Sequence, residues 1–162
     1  MSDDEDQFET GNSGAAGTEK VQAGTLHKGN LVMIKGHPCK VVDISTAKTG
    51  KHGAAKAMLT GIDIFTANKY DCTYSTKENV DAPLVKRVEY NLINIDDDGF
   101  VSLLTENGEM KEDLKLPDDE WLRDVVDKIK EIFEAGSKEC LVSVITALEF
   151  EKIVAVREGK DI

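Results

Sequence analysis

The 162-residue sequence contains little cysteine and no long apolar run. Cys39, Cys72 and Cys140 are odd in number, far apart and without a C-x-x-C pair, which argues against a disulfide framework and a zinc site. No segment approaches the roughly 20 apolar residues of a membrane helix, and no apolar stretch follows a basic start. We therefore predict a cytoplasmic protein with no membrane span, signal peptide or bound metal. Its three cysteines should pack as small apolar residues.

Aromatic residues are also scarce, at 6% of the chain, and acids outnumber bases to give a net charge of −11. The charge is uneven, because residues 1–18 carry −5, residues 19–86 carry +4 and residues 87–162 carry −10. A protein that coats RNA along its whole length is basic throughout. This pattern instead predicts that the middle segment approaches RNA, while the acidic C-terminal segment stays away from it.

An acidic tail opens the chain, and Phe8 is its only large apolar residue. Such a segment cannot bury enough apolar surface to offset the entropy lost when it becomes ordered. We predict that residues 1–19 are disordered and that the first folded domain spans residues 20–83.

Residues 20–83 contain short β-branched segments separated by turns, with no helical period. Lys35–Pro38 is predicted to be a turn, because proline cannot extend a strand ladder. Several short strands at close spacing indicate a small barrel. The predicted strands are Leu31–Ile34, Cys39–Ile44, Ala57–Phe65 and Lys69–Ser75.

Residues 84–162 form the second predicted domain, because the charge balance changes sign just after Asp81–Pro83. Asp96–Gly99 is predicted to be a hairpin turn and not a calcium loop, since no EF-hand spacing follows it. The predicted order of three strands, one helix and two strands is that of an OB-fold. The predicted strands are Val85–Ile95, Phe100–Thr105, Met110–Leu116, Leu141–Ile145 and Lys152–Val156, and the helix runs from Pro117 to Gly136.

The predicted helix carries apolar residues at helical spacing, which indicates a face packed on the core and not a partner groove. Acids at its start suit the helix dipole, and glycine ends it. This domain is acidic and poor in aromatics, so we do not expect it to bind free single strands by itself. The apolar face comprises Trp121, Leu122, Val125, Val126, Ile129, Ile132 and Phe133.

The segment Ser45–Lys56 is the most unusual part of the sequence. Lys48, Lys51 and Lys56 place three cations within nine residues, with no acid between Asp43 and Asp63. Strands are predicted on both sides, and Gly50 and Gly53 permit a tight reversal around Lys51. Adjacent cations repel one another, so the pattern favours a polyanionic partner.

The residues of this hairpin tip allow three interpretations to be compared. A phosphate-binding P-loop is excluded, because Ser45 replaces its first glycine and His52 follows Lys51. Gly50–Gly53 matches the Gly-x-x-Gly of KH domains, but strands and not helices surround it. An ordinary hairpin with solvated lysines remains open.

Ser45–Gly53, read together with Gly61–Thr66, resembles eukaryotic translation initiation factor 5A, the hypusine-containing translation factor family. The resemblance extends from about Ala23 through Lys35–Val42, Asp98–Leu104 and Glu112–Pro117. It implies a mainly β protein with two small barrels, an N-terminal SH3-like barrel and a C-terminal OB-fold with one helix. It also implies that Lys51 becomes hypusine: deoxyhypusine synthase adds an aminobutyl group from spermidine, and deoxyhypusine hydroxylase then hydroxylates it.

The resemblance further implies a translation factor, not an enzyme, that binds the ribosome beside peptidyl-tRNA. Such a factor promotes peptide-bond formation at stalled sites, such as consecutive prolines, and termination. Contacts to tRNA and ribosomal RNA are expected around Lys51, with no catalytic residue, bound cofactor or metal. The expected contact residues are Lys48, Thr49, Gly50, His52, Gly53 and Lys56, with Lys69 and Lys86 as secondary basic contacts.

The sequence departs from the family pattern beside Lys51. The family reads Lys-His-Gly-His-Ala-Lys, whereas this chain has Ala54 at the second histidine. Met58 stands where a further histidine is common, and Thr76–Asn79 replaces a Thr-His-Asn pattern. Because Ala54 lies three residues from Lys51, it puts recognition by the modifying enzymes in doubt, above all by the hydroxylase.

Two other functions remain open from the residues. An enzyme could use Lys51 as a nucleophile if Lys48 and Lys56 lowered its pKa, although no acid–base pair is evident nearby. A generic RNA-binding module without modification would use both barrels. His52 has two open roles, a phosphate contact or a cap of the turn. A homodimer through exposed edge strands is also possible.

Overall fold

The computed structural model describes residues 17–48 and 55–162. It divides into two compact units between Leu84 and Val85, one residue after the boundary predicted from the sequence. Within the described residues, no helix is long and apolar enough to cross a membrane.

The first unit is a β-structure built from a four-stranded sheet and a separate two-stranded pair. The sheet has the antiparallel order β2-β3-β4-β5, and β1 pairs with β6. A short 3-10 turn at Ala23–Thr25 follows β1. The strands are β1 Thr18–Gln22, β2 Leu31–Ile34, β3 His37–Lys48, β4 Ala55–Asp63, β5 Lys69–Ser75 and β6 Asn79–Pro83.

Buried and exposed residues alternate along β4, which shows which face of the sheet covers the core of this unit. Ala57, Leu59 and Gly61 face inwards and are buried, whereas Lys56 and Met58 face outwards. Successive residues of a strand point to opposite faces, so this pattern assigns one side of the sheet to the core and the other to solvent. The buried cluster comprises Ala23, Leu26, Val32, Ile34, Cys39, Val41, Leu59 and Val80.

A buried carboxylate closes the turn after β4. Asp63 is 3% exposed, and its Oδ1 accepts hydrogen bonds from the Phe65 and Thr66 backbone N–H groups at 2.7 and 3.1 Å. Its other oxygen lies 3.2 Å from Nδ1 of His37, whose ring stacks on Tyr70 with centroids 4.2 Å apart. These contacts explain the Gly61–Thr66 motif as a fixed turn that ends β4.

Two predictions for this unit were wrong in detail, and two strands were missed. Thr18 and Glu19 were assigned to the disordered tail, but they pair with β6; residues 1–16 lie outside the described residues. Strands β1 and β6 were not predicted. Pro38 was placed in a turn but lies in β3 opposite Met33. Pro38 lies one residue from the start of β3, next to the strand-initial position at which proline is tolerated. Its carbonyl accepts from the Ile64 N–H at 3.0 Å.

The second unit has five strands and one α-helix in the order predicted for an OB-fold. Its sheet runs β11-β10-β7-β8-β9, with every pairing antiparallel. A 3-10 turn at Glu120–Leu122 leads into the helix. The elements are β7 Lys86–Ile95, β8 Phe100–Leu104, β9 Met110–Lys115, α1 Arg123–Ala135, β10 Lys138–Ala147 and β11 Phe150–Asp161.

Helix α1 packs on the core of the second unit through part of its predicted apolar face. Leu122, Ile129 and Ile132 are buried. The helix ends at Gly136, which has φ +67° and donates to the Ile132 carbonyl, as the left-handed cap position requires. Trp121 is 41% exposed, so its assignment to the packed face was wrong. It precedes α1 in the 3-10 turn, where the angular spacing of an α-helix does not apply.

All three cysteines lie in strands, as predicted, and none of them forms a disulfide bond. Cys39 and Cys140 are buried, and Cys72 is half-buried. Burial raises the pKa of the Cys39 thiol to about 11, with Asp63 and Cys72 adding to the effect. Burial alone raises the pKa of the Cys140 thiol to about 11. Both thiols therefore behave as packing groups and not as nucleophiles.

Candidate functional site

The structure describes both strands that lead to the predicted modification loop but not the loop itself. Lys51, Thr49, Gly50, His52 and Gly53 lie outside the described residues, as does Ala54. Strand β3 is described up to Lys48 and β4 from Ala55, and these two residues form the last cross-strand pair. The roles predicted for residues 49–54 therefore stay predictions.

We call the paired residues 43–48 of β3 and 55–60 of β4 the arm. Strand β2 pairs with β3 only as far as Lys40, so within the described chain residues 43–48 have β4 as their one strand partner. The β4 side is better supported, because β5 pairs with it up to Lys56. The Thr76 N–H also donates to the Ala55 carbonyl at 2.9 Å. The arm is thus held to the barrel through β4.

The two lysines at the end of the arm lie on opposite faces. Lys56 is opposite Ala47 and shares the outward face with Met58 and Thr60. Lys48 is opposite Ala55, one position along, and therefore points to the other face. From the sequence, both lysines were expected to contact one polyanion. The strand register instead places one lysine on each face of the arm.

Lys69 shares the outward face with Lys56 but is distant from it along the sheet. It pairs with Ile62, six residues from Lys56, which corresponds to about 20 Å at the usual rise of a strand. Lys40 of β3 is also a cross-strand partner of Ile62, so Lys40, Ile62 and Lys69 form one row across the three strands, with a lysine at each end. Lys40 was missed as a contact residue, although the alternation in Cys39–Ile44 would have placed it outwards.

A row containing two acids separates these cations. Asp43 lies opposite Thr60, which lies opposite Asp71, and the Thr60 hydroxyl donates to Asp71 Oδ1 at 2.7 Å. The outward face is therefore basic at Lys40 and Lys69, acidic in the next row and basic again at Lys56. The sequence, which has no acid between Asp43 and Asp63, did not reveal that Asp71 joins this face from β5.

Lys86, the other secondary contact, begins β7 in the second unit. It is exposed and pairs with Thr146 of β10. Among residues 17–48 and 55–162, no group of three His, Cys, Asp or Glu side chains could hold a metal ion.

An SH3-like barrel with a lysine-bearing hairpin, followed by an OB-fold, defines a two-domain β protein of the kind found in translation factors. Residues 16–78 match the family described as translation initiation factor 5A-like, N-terminal. Residues 84–157 match the family described as eukaryotic elongation factor 5A hypusine, DNA-binding OB fold. The chain belongs to the translation initiation factor 5A family, whose members are translation factors and not enzymes.

Individual relatives are similar in sequence to this chain over nearly its whole length. The chain is 51% identical over 158 residues to eukaryotic translation initiation factor 5A-3 of Arabidopsis thaliana, covering 98% of each chain. It is 48% identical to factor 5A-4 of Solanum lycopersicum, covering 98% of this chain and 97% of the relative.

Solved structures with the same fold include the factor 5A family protein of Naegleria fowleri. That structure has a TM-score of 0.81 and 45% identity, over 88% of this chain and 99% of that one. The Methanococcus jannaschii protein has a TM-score of 0.66 and 33% identity, over 88% of this chain and 96% of that one. The fold class predicted from the sequence is confirmed by these neighbours.

Proposed function

We propose that this chain is a cytoplasmic translation factor that binds the ribosome beside peptidyl-tRNA. It promotes peptide-bond formation at stalled sites, such as consecutive prolines, and termination, through hypusine at Lys51. The observation that carries the proposal is the arm, whose strands stay paired as far as Lys48 and Ala55. Only the six residues 49–54 separate Lys48 from Ala55, and Lys51 is one of them. The two paired strands therefore extend to within a few residues of Lys51 in the sequence.

The mechanism is positioning and not new chemistry. Lysine is a cation at neutral pH, and hypusination lengthens it while adding a second amine and a hydroxyl donor. A long cation on a paired-strand support can enter a narrow, phosphate-lined site that an unmodified lysine does not reach. Held there, it restricts the acceptor end of the tRNA to reactive geometry, which lowers the entropic part of the barrier.

The opposite faces of Lys48 and Lys56 suit a partner on each side of the arm. One lysine can contact a tRNA phosphate while the other contacts ribosomal RNA, and His52 acts in the loop between them. Lys69 and Lys86 are secondary contacts, and Lys40 joins Lys69 in one row. Because these contacts are to phosphates, they position the protein without reading sequence, and salt should weaken binding steeply.

We expect that two enzymes carry out the modification and that this chain itself holds no bound cofactor. Deoxyhypusine synthase transfers the aminobutyl group of spermidine to Lys51, and deoxyhypusine hydroxylase completes hypusine. This chain has Ala54 where the family has a histidine, so hydroxylation is the step that we expect to be impaired.

The homodimer is a separate prediction. Sedimentation with and without RNA tests it.

Tandem mass spectrometry of the Lys51 peptide, from protein purified out of its own cells, tests the proposal. A mass increment that matches hypusine supports it. Deoxyhypusine alone means that the synthase accepts this loop and the hydroxylase does not. Unmodified lysine would overturn the mechanism built on an extended cation.

A Lys51→Arg variant separates the alternatives, with Lys77→Arg as a control in an exposed turn outside the arm. The proposal predicts loss of function in cells with a modest loss of ribosome affinity. Unchanged function and unchanged RNA affinity would favour a generic RNA-binding module. Borohydride trapping of a carbonyl substrate on Lys51 would instead indicate a nucleophilic enzyme.

A further inference from the structure

Strand β3 contains one more residue than its partner needs at the base of the arm. Val41 pairs with Gly61, and the next pair is Asp43 with Thr60, so Val42 is the extra residue of a β-bulge. Val42 and Asp43 are both exposed, whereas successive residues of a regular strand alternate. Bulges bend the strand that contains them and increase its local twist.

The bulge lies where β3 leaves the barrel. The Val41 N–H donates to the Asn30 carbonyl, and the Val41 carbonyl accepts from the Gly29 N–H, both at 2.8 Å. Val41 is 1% exposed and belongs to the core. The residues beyond Val42 are supported on the β4 side only. A change in backbone direction at Val42 therefore acts on the arm, while the barrel below it stays anchored.

The Val42 side chain does not account for the bulge. It is 43% exposed and is absent from the core cluster of the unit. Little packing is therefore lost when the side chain is shortened, and the contribution of Val42 is to the course of the backbone.

Deletion of Val42 would remove the bulge without altering any other pair. Val41 would be followed directly by Asp43, and their partners Gly61 and Thr60 are already adjacent in β4. Val41 faces inwards and Asp43 outwards, so regular alternation would also be kept. The β4 side of the arm keeps its length, and the deletion therefore changes the direction of the arm more than its reach.

We propose that the Val42 bulge is a positioning element that directs the Lys51 arm towards its target on the ribosome; this inference rests on the function proposed above. From the Asp43–Thr60 pair to the Lys48–Ala55 pair the arm extends five residues, or about 17 Å. A change of about 10° in its direction therefore moves the last described pair by about 3 Å. Misplacement by about 1 Å can reduce a rate that depends on positioning by up to about 10²-fold.

The test compares full-length wild type, a Val42 deletion, Val42→Ala and Val42→Gly, each modified at Lys51 and checked by mass spectrometry. The readouts are ribosome binding and the rate of peptide-bond formation on a consecutive-proline template in reconstituted translation. Val42→Ala keeps the extra residue and should stay within about twofold of wild type. The deletion should bind ribosomes within about threefold of wild type but stimulate bond formation at least about tenfold less.

Val42→Gly keeps the chain length while loosening the backbone at the bulge, and it decides the question if the deletion lowers the melting temperature strongly. It should stimulate at least about threefold less than Val42→Ala. A folded, modified deletion that stimulates as wild type does, or equal rates for the glycine and alanine variants, would overturn the inference. The wild-type protein is measured before the variants. If it is unmodified at Lys51, or does not stimulate bond formation on the proline template, the proposed function itself is overturned.

Discussion

Replacing Gly61 of β4 with alanine tests whether the close packing around this glycine leaves no room for a side chain. An alanine Cβ at this position would lie 2.8 Å from Cys39 Cβ and 2.8 Å from Ile34 Cδ1. Both neighbours are fully buried, so neither can move into solvent. We expect Gly61→Ala to lower the free energy of unfolding of this unit, because the new methyl group forces the core apart.

The size of the effect follows from two opposing contributions. Overpacking a well-packed core costs typically about 1–3 kcal/mol. Alanine recovers about 0.4–1 kcal/mol, because it restricts the unfolded chain more than glycine does. The midpoints of these two ranges give an expected net loss of about 1.3 kcal/mol. For a unit of this size, each 1 kcal/mol shifts the melting temperature by about 4–8 °C.

A second substitution identifies the source of the strain. Ile34→Val removes the Cδ1 atom and by itself should cost about 0.5–1.5 kcal/mol through lost packing. In the double variant Gly61→Ala/Ile34→Val, the new methyl group occupies part of the space released. The double variant should therefore be at least about 0.5 kcal/mol more stable than the sum of the single losses predicts.

Urea unfolding followed by far-ultraviolet circular dichroism measures the loss, and hydrogen exchange of peptides from β3 and β4 localises it. Trp121, the only tryptophan, lies in the second unit, so its fluorescence is an internal control that should not change. Wild-type stability in Gly61→Ala, or strictly additive losses in the double variant, would refute the crowding argument.

Three further predictions concern individual polar groups. Because burial raises the pKa of Cys39 and Cys140 to about 11 from an ordinary 9.0, stability should be constant below pH 9 and fall as the pH rises through 11, by about 2–3 kcal/mol per thiol. Urea midpoints at pH 8 and pH 10.5 check this, and Cys140→Ala should reduce the difference. Asp63→Ala should cost at least about 1–3 kcal/mol in urea unfolding, because two backbone N–H groups lose their acceptor, whereas Asp63→Asn should cost less; equal losses would contradict the argument. Gly159→Ala would place a Cβ 2.8 Å from Glu139 Oε1, which accepts from the Lys160 N–H at 3.1 Å, so the Lys160 amide should exchange faster with solvent by NMR; an unchanged rate would refute it.

Local patterns predicted the strands whose signals are local. Lys69–Ser75 alternates clearly, and β5 has those bounds. Strand β1 carries a single large apolar residue, Val21, and pairs with β6 more than fifty residues later in the chain. Its place in the fold depends on that distant partner, and no periodicity within five residues could reveal it.

The site shows the same limit. Lys48, Lys56 and Lys69 were recognised as exposed cations, but which face each occupies depends on strand register. Register depends on the number of loop residues and on bulges, and a shift of one residue exchanges the faces. The bulge at Val42 leaves no signature in Val41-Val42-Asp43, since two adjacent valines are equally consistent with a regular buried strand.

The bulge has a second consequence for the exposed edge of the arm. Residues 43–48 of β3 pair only with β4 among the described strands, and an unpaired edge invites pairing with another chain. Charged side chains and bulges are devices that discourage such pairing. Asp43 and Lys48 bracket this edge, and Val42 distorts its beginning. These features disfavour pairing of this edge with another chain, so we expect that any homodimer of this chain does not pair through residues 43–48.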